Sequence, residues 1–243
     1  MIEINDVTKF LGNKKVLNDI TVNIEKGEIF GLLGPSGAGK TTLIRLLIGA
    51  IEAEDGEIII DGIKVPDKEV IKRIGFMPQN DALYNDLSGY DNLVFFGSLF
   101  NLKRKELERK VNDVLKLVGL TEDSHKLVDK YSGGMKKRLS LAIALLHDPD
   151  ILILDEPTVG IDPLLRRRIW QEFNKLKNEG KTIIVTTHVM DEASMCDKAG
   201  LIYEGKLIAC GTIIELCRLT EKGTLEELFF LVKKGVENET FVF

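Results

Sequence analysis

The chain has 243 residues, 44% apolar, 29% charged and 7% aromatic, with a formal charge of −5. That content is enough to close a full hydrophobic core and excludes a disordered chain. The acidic balance also counts against a surface built mainly to grip nucleic-acid phosphates, without excluding a small local anion site. Cys196, Cys210 and Cys217 form no CxxC pair and leave one unpaired in any disulfide scheme, so they read as small apolar residues of a reducing compartment. The acidic start, MIEIND, predicts no secretory leader, and no apolar run reaches the ~18 residues that a membrane-spanning helix needs.

In chain order, Ile2, Ile4, Ile20, Val22 and Ile24 alternate with polar residues and predict half-exposed strands. Glu28 to Leu33 reads as a short buried strand, followed by a glycine-rich turn and a helix over Lys40 to Ile48. Glu57 to Ile60 predicts another strand, closed by a tight turn at Asp61-Gly62. From Ser88 to Leu146 the texture turns helical (Val111, Leu115, Val118), with Ser88 and Asp91 predicted to form a capping box. Buried strands return at Ile151 to Leu154 and Thr182 to Thr187, separated by a helix that Asp162 caps and Pro163 starts. Leu225, Leu228, Phe229 and Val232 mark a short terminal helix. Strands alternating with helices imply an α/β fold with a parallel sheet covered on both faces.

Gly34-Pro35-Ser36-Gly37-Ala38-Gly39-Lys40-Thr41 fits GxxxxGK[ST] and lies between a predicted strand and a predicted helix, where a phosphate loop must lie. Glycines let backbone N–H groups converge on phosphate oxygens, and the helix N-terminus adds partial positive charge. Lys40 suits the β- and γ-phosphates, and the Thr41 hydroxyl suits a hard cation such as Mg²⁺. At the end of the strand ILILDE, Asp155 is a candidate Mg²⁺ ligand, directly or through water. Glu156 beside it is a candidate to polarise a water. His188 follows the strand TIIVTT; it either orients Glu156, bonds a γ-phosphate, or is simply structural, the last being the better reading of the residue alone. His125 and His147 read as structural.

A second glycine turn, Tyr131-Ser132-Gly133-Gly134-Met135, opens a helix with Lys136, Lys137 and Arg138 in its first turns. Cations there oppose the helix dipole, so they predict either a solvated basic face or a docking anion. A second anion site beside a complete phosphate loop suggests service to a neighbouring molecule's nucleotide. Taken in order, residues 34–41, Gln79, YSGGM at 131–135, ILILDE, Val159 to Asp162 and His188 make residues 1–218 resemble the ATP-binding subunit of an ABC (ATP-binding cassette) transporter.

The resemblance implies a P-loop NTPase core, an N-terminal antiparallel β-subdomain, a helical subdomain inserted at about residues 81–146, and a short helical tail over 219–243. It also implies ATP and Mg²⁺ as ligands: Gly34 to Thr42 around the phosphates, Thr41, Gln79 and Asp155 toward Mg²⁺, and Glu156, His188, Lys40 and Gln79 in hydrolysis. Ser132, Gly133, Gly134 and Asp162 would contact nucleotide across a homodimer or paired cassette. Tyr131 and Met135 depart from the family's usual signature. The family stacks adenine on an aromatic just before a glycine; Leu11 precedes Gly12 here, so Phe10 is the substitute, with a core aromatic as the rival reading. The implied partner is a transmembrane permease subunit at the inner face of the cell membrane, with Leu93 to Phe100 facing it or filling the insert's core. YSGGM and TVGIDP are similar to drug-resistance, ABC-2 type exporter cassettes. The alternatives, a soluble cassette ATPase acting on nucleic acid or ribosomes and a metabolic P-loop kinase, fit less well. The first lacks its coiled-coil insertion or second cassette, and the second leaves YSGGM unexplained.

Overall fold

The computed structural model describes residues 1–80, 82–100, 102–233 and 241–242. Two compact units form, residues 1–71 with 182–243, and residues 72–181. The chain begins with β1 (Ile2–Leu11), β2 (Lys14–Ile24), β3 (Ile29–Leu33), α1 (Lys40–Leu47), β4 (Asp55–Ile60), β5 (Ile63–Lys64) and α2 (Lys68–Lys72). The second unit carries β6 (Ile74–Met77), α3 (Gly89–Ser98), α4 (Arg104–Leu117), α5 (Gly133–Leu145), β7 (Ile151–Asp155) and α6 (Pro163–Asn178). The chain returns to the first unit with β8 (Thr182–Thr187), α7 (Met190–Ala193), β9 (Lys198–Tyr203), β10 (Lys206–Thr212), α8 (Ile213–Arg218), α9 (Leu225–Lys233) and β11 (Phe241–Val242).

In the first unit, alternation along β1 buries Ile2, Ile4 and Val7, and antiparallel pairing sets Ile2 opposite Ile24 on β2 and opposite Ile60 on β4. A one-residue slip would expose this whole apolar set, so the register is firmly specified. Asp61 (φ 49°) and Gly62 (φ 79°) close the β4–β5 hairpin, as their left-handed preference requires. The five residues of β3 are all buried because parallel strands flank it on both sides, with Ile29 opposite Ile183 of β8 and Phe30 opposite Lys198 of β9.

The expectation of a parallel sheet needs one correction. β9 and β10 form an antiparallel hairpin, with Glu204 (φ 46°) and Gly205 (φ 79°) at the turn. Its signal was present as Glu-Gly between two apolar runs, LIY and LIA. Leu225 and Leu228 of α9 are buried against Ala193, Leu201 and Leu216. The expected contributions of Phe229 and Val232, and the tail over 234–240 and 243, lie outside the described residues or side chains. α8 opens with a full capping box between Thr212 and Glu215, which the spacing T-I-I-E could have revealed.

In the second unit, β6 and β7 pair in parallel, Ile74 with Ile151 and Met77 with Leu154. α5 lies so close to β6 that a Cβ on Gly75 would stand 2.2 Å from the Ala144 carbonyl oxygen. Ser88 caps α3 by accepting from the Asp91 N–H, while the Asp91 carboxylate accepts from the Ser88 hydroxyl rather than completing a reciprocal box with the backbone. Leu107, Val111, Val114 and Leu115 give α4 one buried stripe. Asp162 and Pro163 start α6 as expected. Burial pushes the Cys196 thiol up to about 12 and Cys210 up to about 11, in keeping with their reading as inert apolar residues. Among the described residues, no helix is long and apolar enough to cross a membrane.

His147 stacks on Phe100 with ring centroids 3.7 Å apart and planes 3° from parallel. Burial pushes its pKa from 6.5 down to about 4; the nearby Lys110 and Lys181 act in the same direction, Asp148 and the Ile74 backbone against it. The unfolded chain therefore takes up a proton that the folded chain refuses between those values. Stability is then full above pH 6.5 and falls as pH drops toward 4. Denaturant unfolding at stepped pH checks this: His147→Gln flattens the dependence between pH 5 and 7, whereas the dependence from Asp148, held below its usual range by Lys181, persists at lower pH.

Candidate nucleotide site

The first half of the site grows from the end of β3. Leu33 is followed by Gly34, whose φ of 155° and lack of a Cβ are both needed, since a Cβ would stand 2.3 Å from the Ile202 carbonyl oxygen. At the other end Gly39 (φ 114°) lies against β2, where a Cβ would meet the Val16 carbonyl oxygen at 2.9 Å. Between them Ser36 and Gly37 are exposed. No side chain caps α1, so its first-turn N–H groups face the loop opening, as an oxyanion site requires. Lys40 is buried, and its Nζ donates to the carbonyl oxygens of Gly34 at 2.7 Å and Pro35 at 3.0 Å. Thr41 is half-buried and Thr42 buried on the first turn. Glycine backbone, helix dipole, ammonium and hydroxyl converge as a polyphosphate site needs.

The parallel register pairs Leu33 with Thr187, so Gly34 and His188 leave neighbouring strands at the same end. His188 is exposed. Phe10 pairs across the β1–β2 ladder with Lys15, whose Nζ stands 5.6 Å from the Phe10 ring centroid. Val16 and Leu17, the next along, abut Gly39. Phe10 is 38% exposed, so it does not fill the core, and its ring is presented on the strand pair that borders the phosphate loop.

The second unit assembles its own candidates. The in-register pairing of Met77 with Leu154 brings the segments after β6 and β7 together, and Gln79 Nε2 donates to Glu156 Oε2 at 3.4 Å. Asp155 is buried at the end of β7. Glu156 has a φ of 53°, uncommon for a residue with a Cβ, which separates its direction from that of Asp155. Asp155 and Thr41 are both hard oxygen donors of the kind Mg²⁺ takes.

The Ser132 hydroxyl accepts from the Met135 N–H and caps α5, leaving Ser132 and Gly133 exposed. Nothing lies within 4 Å of where a Cβ on Gly133 would be, whereas on Gly134 it would be 3.4 Å from the Gly160 carbonyl oxygen. The glycine turn and the loop before α6 are thus in contact. Asp162 of that loop caps α6 by accepting from the Leu165 N–H at 3.0 Å.

Two features revise the sequence reading of this turn. Tyr131 is buried, donates to the Asp123 carbonyl oxygen at 2.8 Å, and sits where a Cβ on Gly89 would come within 2.3 Å of its hydroxyl oxygen. Burial, helped by Asp123, raises its pKa. Tyr131 is therefore an anchor matched by the glycine at the start of α3. The cations are not a plain wet face either. Arg138 donates to the carbonyl oxygens of Val118 at 3.0 Å and Gly119 at 2.9 Å, satisfying the C-terminus of α4, and Lys136 donates to Asn85 at 2.9 Å. The sequence reading also missed Glu192, wholly buried beside Thr187, and an aromatic group in which Tyr84 meets Phe95 at 4.8 Å and Phe96 at 6.0 Å.

Comparison with known proteins agrees with this geometry. Residues 17–159 match the family described as ABC transporter. The chain is 41% identical over 221 residues to the linearmycin resistance ATP-binding protein LnrL of Bacillus subtilis, covering 89% of this chain and 71% of the relative. It is 39% identical over 214 residues to the probable multidrug ABC transporter ATP-binding protein YbhF of Escherichia coli, covering 87% of this chain but 37% of that one. Among solved structures it is similar to a dimeric ATP-binding cassette in a post-hydrolysis state bound to ADP and Pi. There the TM-score is 0.81 and the identity 26%, over 87% of this chain and 98% of the other.

Lys40→Ala removes an ammonium tied into the loop, and the expected effect is a loss in ATP affinity of about tenfold to a hundredfold, the range for a charge-assisted hydrogen bond. Titration calorimetry checks it; affinity equal to the parent chain's would refute the phosphate-loop assignment. Gly34→Ala, which forces a Cβ against the Ile202 carbonyl, should weaken ATP binding as well.

Proposed function

Because the chain belongs to the ABC transporter family, we propose that it is the ATP-hydrolysing subunit of an exporter, working as two cassettes closed head to tail around two ATP molecules. The observation that carries this reading is the exposed Ser132-Gly133 turn at the start of α5, in a chain that already has a complete phosphate loop. A single-cassette site would leave that turn without work; a partner's γ-phosphate gives its N–H groups and hydroxyl an anion.

In this mechanism Gly34 to Thr42 hold the phosphates, with Lys40 turning from the Gly34 and Pro35 carbonyls to the β- and γ-phosphates. Thr41, Asp155 and Gln79 would hold Mg²⁺, which neutralises charge on the transferring phosphoryl group. Glu156 accepts the proton of the attacking water, its carboxylate steered by Gln79. His188 supports that geometry, and Ser132, Gly133 and Gly134 of the partner cassette cover the γ-phosphate, with Asp162 at the junction. Phe10 stacks the adenine, supported by its exposed ring and by the position of β1 and β2 beside Gly39. ATP favours the closed pair through phosphate contacts that hydrolysis breaks, which is a population shift between open and closed pairs.

The partner is a transmembrane permease, which places the cassette at the inner face of the membrane. On α3, Leu93 is buried while Phe95 and, just past the helix, Leu99 are exposed, and Tyr84 joins Phe95 at the surface. This mixed burial supports the reading that one side of the run from Leu93 to Phe100 fills the insert's core while the other faces a membrane subunit's helix. The names of the relatives, linearmycin resistance and probable multidrug transporter, support an exported, drug-like or lipid-like cargo.

Glu156→Gln tests the reading. It should bind ATP with near-parent affinity, lose turnover by roughly a hundredfold or more as expected for a lost general base, and run as a stable dimer only with ATP. Size-exclusion chromatography with light scattering, alongside phosphate release, reads both outcomes; parent-rate hydrolysis would remove Glu156 from its role.

A further inference from the structure

Glu192 is fully buried, lies four positions after His188, and has no part in the mechanism above. Its Oε2 accepts a hydrogen bond from the Thr187 hydroxyl at 2.8 Å, and that hydroxyl oxygen accepts from the Val189 N–H at 2.9 Å. The two bonds bracket His188. A threonine hydroxyl has one proton and a free rotor, whereas a carboxylate only accepts. Glu192 therefore commits the Thr187 proton to itself and leaves an oxygen lone pair aimed at Val189. The residues on both sides of His188 are then tied to one atom, Thr187 Oγ1.

The surroundings make this bracket stiff. Thr187 is the last residue of β8 and pairs with Leu33, the residue before the phosphate loop. α7 has only four residues and no side-chain cap, so it has little intrinsic stability. Its position comes from Glu192 on one side and from Ala193 on the other, packed with Leu33, Leu225 and Leu228. Burying a carboxylate here is costly, and an apolar side chain of similar volume would fill the space more cheaply. What an apolar residue cannot do is orient the Thr187 hydroxyl.

We infer that Thr187 and Glu192 are positioning residues for His188, holding its backbone so that the imidazole meets the γ-phosphate end of ATP. The inference rests on the proposed role of His188 in hydrolysis. Both residues are fully buried, so the effect belongs in kcat rather than in KM for ATP.

The experiment uses the full chain and measures ATP turnover, melting temperature and the imidazole carbon NMR signals, of which His188 contributes one of three. The His188 signal is identified by its loss in His188→Ala. Thr187→Val should lower kcat by about tenfold to a hundredfold, the cost of a misplacement near 1 Å, with KM within twofold and a shifted His188 signal. Thr187→Ser keeps the hydroxyl and should restore both. A structural role alone is separated by T187V/E192L, which removes the Thr187–Glu192 pair as a unit: kcat and the His188 signal should stay lost there even where the melting temperature recovers. Recovery of kcat together with stability, or parent turnover in Thr187→Val while His188→Ala is inactive, overturns the inference and leaves the role of His188 standing. Parent turnover in His188→Ala overturns the underlying reading instead.

Discussion

The parallel pairing of β3 with β8 is the constraint on which the first half of the site depends. Because Ile29 to Leu33 run in register with Ile183 to Thr187, two segments distant in sequence end at one level of the sheet. Both strands are wholly buried, so neither can slip without burying the wrong residues or opening the core. The loop that cradles phosphate and the histidine that follows β8 inherit their closeness from that ladder. The second unit repeats the device: β6 and β7 end together, and Gln79 and Glu156 meet just beyond their last pair. In open α/β sheets ligands collect at such strand ends, and here the backbone ladder does the collecting.

A chain carrying −5 overall must make its anion sites locally. The phosphate loop uses backbone N–H groups, a helix start and Lys40. The turn at Ser132 likewise exposes backbone at a helix start, and its neighbouring cations are partly withdrawn from solvent: Arg138 closes the C-terminus of α4 and Lys136 holds Asn85. Oriented backbone groups thus provide directionality that mobile surface charges would not. Tyr131, which departs from the family's usual residue, anchors the turn in the unit's core through Asp123 and against Gly89, so the substitution changes the support and leaves the exposed Ser-Gly pair free to work.

Much of this was legible in the sequence because the strongest signals are local. A glycine pattern between a strand and a helix, Asp162-Pro163 at a helix start, and Asp61-Gly62 in a hairpin each have a short-range cause, and each stands where the spacing put it. The missed features are those whose cause lies across the fold. The Glu204-Gly205 pattern marks a turn locally, but that β9 pairs with β3 while β10 turns back antiparallel is set across the fold. Arg138 and Lys136 are open to reading as a solvated face or an anion dock because their partners Val118, Gly119 and Asn85 are remote in sequence. Phe10 could be placed neither in the core nor at the surface from alternation alone, since β1 changes register several times near its end. Glu192 carries no local motif, and only its burial singles it out.

Lys40 shows how the site's chemistry follows from its packing. Its ammonium is buried and donates to two loop carbonyls, so the loop is held in shape by the same charge that would meet a phosphate. Binding nucleotide then exchanges partners rather than adding a contact to an idle cation. The gain is the difference between an ammonium on neutral carbonyls and one on phosphate oxygens, and it grows with the charge of the ligand. A monophosphate offers little advantage over carbonyls already in place; a triphosphate also reaches the N–H groups of α1 and the hydroxyl of Thr41. A preference for the full triphosphate would thus have its cause in Lys40 already having partners within the folded loop.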